Sequence, residues 1–260
     1  MKIATFNVNG VNGRLPALLR WLAEFRPDVA CLQELKAPQE KFPEAALREA
    51  GYDAVWHGQK SWNGVAILAR GLTPVESRRG LPGDPDDTHS RYIEARIDDV
   101  VVGCLYLPNG NPAGTEKYAY KLAFMDRLIA HAQRRLALEE PLVIAGDYNV
   151  IPEPKDAAHP EQWLSDALFL PQTRAKFREL EALGLVDALR ACDDEPGRYT
   201  FWDYQAGAWP RNNGIRIDHL LLSPQAADRL IDAGIDRHVR SWDKPSDHVP
   251  VYVDLDIEGR

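Results

Sequence analysis

Leu142-Val143-Ile144-Ala145-Gly146-Asp147-Tyr148-Asn149 joins a short, continuously apolar run to a compact polar tail. The run has the length of a strand, and apolarity without alternation marks a strand covered on both faces. Gly146 permits close backbone approach, Asp147 offers a carboxylate that can accept a proton, and Asn149 offers both a donor and an acceptor. A turn after a strand uses the same residue types, so the tetrapeptide alone leaves turn and site both open. The same grammar recurs along the chain. Asn7 closes a strand expected over 2–8, Glu34 closes one over 28–34, and Tyr106 stands near the end of one over 100–107. Four strands ending in such residues gather them at one rim if their ends share an edge of the fold, and strand ends are where rigid scaffolds display sites.

Outward from these strands, 63–69, 92–97, 215–222 and 249–257 read as further strands. Between them lie helices. Leu15, Leu18, Leu22 and Phe25 mark the buried face of one, with Pro16 suited to its first turn. The longest helix is expected over 118–138, where Tyr118, Leu122, Met125, Ile129, Ala132 and Leu136 recur at helical spacing. Shorter helices are expected over 173–183 and 224–233. Segments 78–87 and 109–116 are rich in Gly, Pro and charge and read as loops. The alternation predicts an α/β chain forming a single domain over 1–260.

Composition narrows the function classes. Of 260 residues 45% are apolar and 27% charged, which excludes disordered, collagenous and coiled-coil classes. The net charge of 31 − 39 = −8 argues against a protein coated in positive charge for scanning nucleic acid or membrane, while leaving room for a local basic groove. Arg14, Lys36, Lys60, Lys117, Lys121 and Arg216 are candidates for a phosphate-facing side. No apolar stretch has bilayer-spanning length, and the polar Asn7 and Asn9 interrupt the N-terminus too early for a signal-peptide core. Three cysteines form no disulfide framework, and a reducing cytoplasmic location is expected.

Two later segments add candidate chemistry. Asp218 interrupts Ile217-Asp218-His219-Leu220-Leu221-Leu222, a run otherwise suited to burial, and a buried charge requires a partner. His248 in Ser246-Asp247-His248 is the candidate, since an aspartate bond fixes its ring and raises its pKa; the bland alternative pairs Asp218 with Arg216. His219 reads as structural.

Taken together, Phe6-Asn7-Val8-Asn9-Gly10, Leu32-Gln33-Glu34-Leu35-Lys36, Tyr106-Leu107-Pro108-Asn109-Gly110, Gly146-Asp147-Tyr148-Asn149, Thr200-Phe201-Trp202, Arg216-Ile217-Asp218 and Ser246-Asp247-His248 resemble, in order, the motifs of the exonuclease III family of apurinic/apyrimidinic endonucleases. This family lies within the endonuclease/exonuclease/phosphatase superfamily. The resemblance implies a DNase I-like four-layer α/β-sandwich, two packed β-sheets flanked by helices. It implies a Mg²⁺-dependent DNA-repair nuclease, Mn²⁺ substituting, that cuts 5′ to abasic sites and trims 3′ ends. Asn7, Glu34 and Asp247 are the implied metal residues, and Tyr106, Asp147, Asn149, Asp218 and His248 the implied catalytic set. Lys36, Asn109, Phe201, Trp202, Ile215, Arg216 and Ile217 are the implied DNA contacts. The implied partner is double-stranded DNA with abasic or blocked 3′ ends, bound by a monomer with no role for membrane. A superfamily phosphatase acting on small phosphate esters shares the Asp-x-Asn and Ser-Asp-His motifs; Trp202 and the contexts of Lys36 and Arg216 weigh against it.

Overall fold

A computed structural model describes residues 1–257. Twelve strands occur among them: β1 (Lys2–Asn7), β2 (Val29–Gln33), β3 (Tyr52–His57), β4 (Val65–Arg70), β5 (Val75–Arg79), β6 (Tyr92–Ile97), β7 (Val100–Tyr106), β8 (Leu142–Asp147), β9 (Val186–Asp187), β10 (Asp218–Leu222), β11 (Leu230–Ile235) and β12 (Val251–Leu255). The α-helices are α1 (Leu15–Phe25), α2 (Glu44–Glu49), α3 (Glu116–Leu136), α4 (Pro171–Ala182), α5 (Ala188–Cys192) and α6 (Pro224–Ala227). The strands form two six-stranded sheets, ordered β11-β12-β1-β2-β4-β3 and β5-β6-β7-β8-β10-β9.

The two sheets pack face to face. Ile3, Val29, Cys31, Val65, Ile67 and Val253 of the first meet Ile93, Val102, Cys104, Val143, Ala145 and Leu220 of the second. The opposite faces are equally apolar because helices cover them. Leu18, Trp21 and Leu22 of α1 pack on Ala4, Phe6, Leu32 and Leu68, while Phe124, Met125 and Leu128 of α3 and Phe177 and Leu180 of α4 pack on Val101, Leu105, Ile144 and Leu221. Each such buried aliphatic or aromatic side chain is worth about 1.5–3 kcal/mol relative to exposure. This is the expected four-layer sandwich, and it explains why the central strands read as unbroken apolar runs. Gly146 bears out its reading: a Cβ there would sit 2.0 Å from the carbonyl oxygen of Leu105 on the neighbouring strand.

Several expectations are corrected. The helix expected over 224–233 is a single turn, α6, started by Ser223 Oγ accepting from the Ala226 amide; the chain then pairs with β12 as the edge strand β11. Strands β3, β5 and β9 were not expected at all, and β5 is exposed along its whole length. The strand expected over 215–222 begins only at Asp218, because Ile215 instead bridges to Phe201 and Ala157. The three cysteines are free, and among the described residues no helix is long and apolar enough to cross a membrane.

Arg216 and Trp202, expected at a DNA surface, are both interior. Arg216 is 1% exposed. Its Nε donates to Asp156 Oδ1 at 2.7 Å and its Nη1 to Asp187 Oδ2 at 2.7 Å, and Arg190 donates to the same Asp156 oxygen. It therefore does not pair with Asp218, and its charge is spent on internal carboxylates. Trp202 is 0% exposed, packed edge-on against Trp209 and Tyr199, with its indole N–H donating to Asn212 Oδ1. Lys121 is also interior: its ammonium donates to the carbonyl oxygens of Asn109 at 3.0 Å and Asn149 at 2.5 Å, tying together two rim loops.

His219 lies against this buried cluster, as a structural histidine. Its Nε2 donates to the Val150 carbonyl at 2.9 Å, leaving Nδ1 to accept from Arg216 Nη1 at 3.1 Å. Burial, with the Arg216 charge adding to it, holds its pKa down at about 4. A depressed histidine pKa means the unfolded chain binds the extra proton first as pH falls, so stability is complete above the unfolded value near 6.5 and is lost as pH drops toward 4. Thermal melts across that window are expected to show a falling midpoint that His219→Gln flattens in part. Parallel pH profiles for the two proteins would refute this.

Candidate active site

Register places the polar strand ends together. Asn7 of β1 lies beside Gln33 of β2 in parallel pairing, with Glu34 the next residue. In the second sheet, Tyr106 of β7 and Asp218 of β10 both lie beside Asp147 of β8. The two sheets thus bring four strand ends and the start of a fifth strand to one rim. Glu34 and Asn149, just past their strands, take the left-handed conformation at φ 51° and 47°, a backbone cost typical of residues held in place for function.

Ligand atoms of Glu34, Asp147 and His248 lie within 4.8 Å of one another. Asn7 Nδ2 donates to Glu34 Oε1 and to Asp147 Oδ2, both at 2.9 Å, so its amide bridges the two carboxylates while its oxygen accepts from the Asn9 amide. His248 Nδ1 bonds Asp218 Oδ2 at 2.8 Å, the partnership expected for Asp218, and Nε2 faces Asp147 Oδ2 at 3.7 Å. Thr200 Oγ1 donates to the same Asp218 oxygen at 2.6 Å, which fixes the aspartate in turn. Ser246 Oγ donates to the Asn7 carbonyl and so pins the loop bearing Asp247 and His248 to β1.

Charge crowding dictates the protonation pattern. Burial pushes the Asp147 carboxyl upward; the His248 charge opposes this, and Asp218 and Glu34 add to it. For His248 burial opposes the charged form, but Asp218 and Asp147 outweigh it and raise the pKa. Glu34 is held low despite burial by the Asn7 hydrogen bond and the His248 and Lys36 charges. Burial, reinforced by the Glu34 and Asp147 charges, keeps Tyr106 a neutral phenol. Carboxylates converging on one point offer hard oxygen donors, which suit a hard divalent cation better than a soft metal. Asp247 lines the same cavity but lies outside the tight three-residue cluster; its Oδ1 accepts from Asn9 Nδ2 at 3.1 Å.

The cavity measures about 320 Å³. Phe201, Ile215 and Ile217, three of the implied DNA contacts, line it beside Asn109, Asn149 and His248. Phe201 packs edge-on to the His248 ring with centroids 5.0 Å apart. Exposed Lys36 pairs with Glu34 Oε2 at 2.9 Å, and Asn109 donates to Asn149 Oδ1 at 3.3 Å. Sequence reasoning missed Thr200 as the anchor of Asp218, Asn9 as the link between Lys36 and Asp247, and Trp163, Asp166 and Leu168 as cavity wall. Asn9 carried a usable signal, standing two residues from Asn7 beyond an apolar strand. Leu168 carried none, since nothing local separates a cavity leucine from a core leucine.

Sandwich and rim together define a phosphodiester- or phosphomonoester-cleaving class, and residues 4–248 match the endonuclease/exonuclease/phosphatase family, to which this chain belongs. Within it, the chain is an enzyme of the exodeoxyribonuclease III and AP endonuclease branch. It is 33% identical to exodeoxyribonuclease III of Haemophilus influenzae, over 98% of this chain and all of that protein. The AP endonuclease structure from Archaeoglobus fulgidus superposes with a TM-score of 0.94 at 38% identity, covering 99% of this chain and 100% of the other. A 3′-5′ exonuclease from Neisseria meningitidis gives 0.96 at 40% identity with the same coverage, and a 3′ phosphatase from Neisseria, solved bound to a product DNA hairpin, gives 0.95 at 39% identity, again over 99% of this chain and 100% of that one.

Proposed function

We propose that residues 1–260 act as one domain, a Mg²⁺-dependent DNA-repair nuclease that hydrolyses the phosphodiester 5′ to abasic sites and leaves a 3′-hydroxyl. The same site removes 3′-blocking groups and degrades 3′ ends, and the enzyme works as a cytoplasmic monomer on double-stranded DNA. The observation that carries this reading is the convergence of Glu34, Asp147 and His248 beside an apolar cavity wall of Phe201, Ile215 and Ile217. A sugar without its base suits such a wall, because an intact nucleotide brings polar edges that must be desolvated.

Glu34, with Asn7 and Asp247 beside it, would hold the cation. Bound there, Mg²⁺ or Mn²⁺ supplies charge neutralisation at the phosphate oxygens. Asp147 orients the attacking water and takes its proton, a task its raised pKa suits, and Asn149 positions the same water. His248, kept charged and oriented by Asp218, and the neutral Tyr106 phenol donate hydrogen bonds to the scissile phosphate. Lys36 and Asn109 face the phosphate approach.

One labelled duplex carrying a single abasic analogue tests the reading. Incubation with Mg²⁺ is expected to give a single nick 5′ to the analogue, abolished by EDTA and restored by excess Mg²⁺ or Mn²⁺. Hydrolysis of soluble phosphate esters with the duplex left intact would favour the phosphatase alternative.

A further inference from the structure

Lys121 is a lysine in a place where packing asks for none. It is 0% exposed, on the face of α3 that also carries Phe124, Met125 and Leu128. A methionine there fills similar space without the cost of burying an amine. The amine donates to the carbonyl oxygens of Asn109 and Asn149; among the described residues no other donor reaches either oxygen, and no carboxylate pairs with Lys121. Burial holds its pKa down at about 7 against the Asp147 and Asp166 charges, and both the ammonium and the neutral amine have the two N–H groups these bonds use.

The rim loops are shaped to this contact. Gly110, at φ 87°, lets the lysine stem pass, since a Cβ there would sit 2.6 Å from Lys121 Cδ. Asn149 is held in its left-handed conformation from four sides. Three of the holds come from the rim: its N–H donates to Asp147 Oδ1, its Nδ2 to the Leu107 carbonyl, and its Oδ1 accepts from Asn109 Nδ2. The fourth, on its carbonyl, comes from α3 through Lys121.

We propose that Lys121 is a positioning residue for the cleavage step, fixing the Asn149 backbone so that its side chain is aimed at the attacking water, with Asn109 fixed beside it. Fully buried, Lys121 acts through these two residues and meets no substrate. The inference rests on the nuclease reading, which supplies the role of Asn149.

Lys121→Met removes both bonds and keeps the length of the stem, while Lys121→Gln keeps an amide donor on a shorter one. Three quantities are compared at a temperature where circular dichroism shows each variant folded: the single-turnover rate on the abasic duplex with Mg²⁺, the duplex Kd in EDTA, and hydrogen exchange at the Asn111 and Asn149 amides. Misplacing a reacting group by about 1 Å costs about 10²-fold, so Lys121→Met is expected to slow cleavage by about that factor and Lys121→Gln by less. Kd should change little, and both amides should exchange faster. Single-turnover rates of both variants within about twofold of wild type would overturn the inference and leave the nuclease reading standing, whatever the exchange shows. A weaker Kd with an unchanged rate would also overturn it, by making Lys121 a binding residue. If Lys121→Met does not fold, Lys121→Gln decides alone. A wild type that does not cleave removes the nuclease reading and the catalytic role with it, and unchanged exchange at Asn149 would remove the tether as well.

Discussion

Asp147→Asn is expected to lower kcat on the abasic duplex by about 10²–10⁴ while changing duplex affinity little. The substitution keeps shape and deletes the carboxylate proposed to take a proton from water. An asparagine oxygen can still accept the Asn149 amide that Asp147 Oδ1 accepts at 2.9 Å, which keeps the loop in place, while the bond from Asn7 Nδ2 to Oδ2 is lost. The same change should stabilise the metal-free protein. The raised pKa of Asp147 means that folding favours the protonated carboxyl, so the ionised side chain costs stability above the unfolded value, and the penalty grows until pH reaches about 7 and then levels off. A variant that melts higher but turns over far more slowly is the expected signature. A kcat within tenfold of wild type in single-turnover measurements would remove Asp147 from the proposed role.

Asp156→Ala is expected to be the most destabilising single change, by about 3–5 kcal/mol, because it strands a buried arginine. Asp156 accepts from both Arg216 and Arg190, and when it is removed Arg216 keeps Asp187 as its one carboxylate among the described residues, with His219 Nδ1 as a neutral acceptor. In a chain of this size the midpoint should fall by roughly 10 °C. Activity should fall with it, since Arg216 anchors the chain two residues before Asp218, the residue that orients His248. Replacing the pair together, as Asp156→Leu with Arg216→Met, should recover much of the stability, because apolar residues leave no charge unpaired. A loss under about 1 kcal/mol in the single variant, measured by denaturant unfolding, would show that the cluster relaxes far more than its burial suggests.

These effects mark the boundary of what sequence could reveal. Central strands such as β1, β2, β7 and β8 were legible because burial on both faces writes unbroken apolar runs. Edge strands were not: Val75–Arg79 lies wholly exposed, and Leu230–Ile235 follows a real helix start and so read as its continuation. The rim residues were legible through their position after apolar runs and through motif resemblance. Arg216 was misread for a different reason. Its charge is visible in the chain, but the carboxylates that absorb it stand 60 positions before it and 29 before it, and only folding brings them near. Trp202 fails likewise, since an aromatic at a binding face and one sealed by Trp209 and Val249 are written with the same letter.

The sheet order fixes when the enzyme can first work. The second sheet is assembled from one uninterrupted stretch, β5 to β10, whereas the first is opened by β1 and finished by β12, with Lys2 aligned to Asp254. A ribosome emitting this chain therefore releases Asn7 and Glu34 more than two hundred residues before His248. A product that stops short of the closing strand lacks a neighbour for β1, and one that stops before His248 lacks one of the three side chains that converge at the rim.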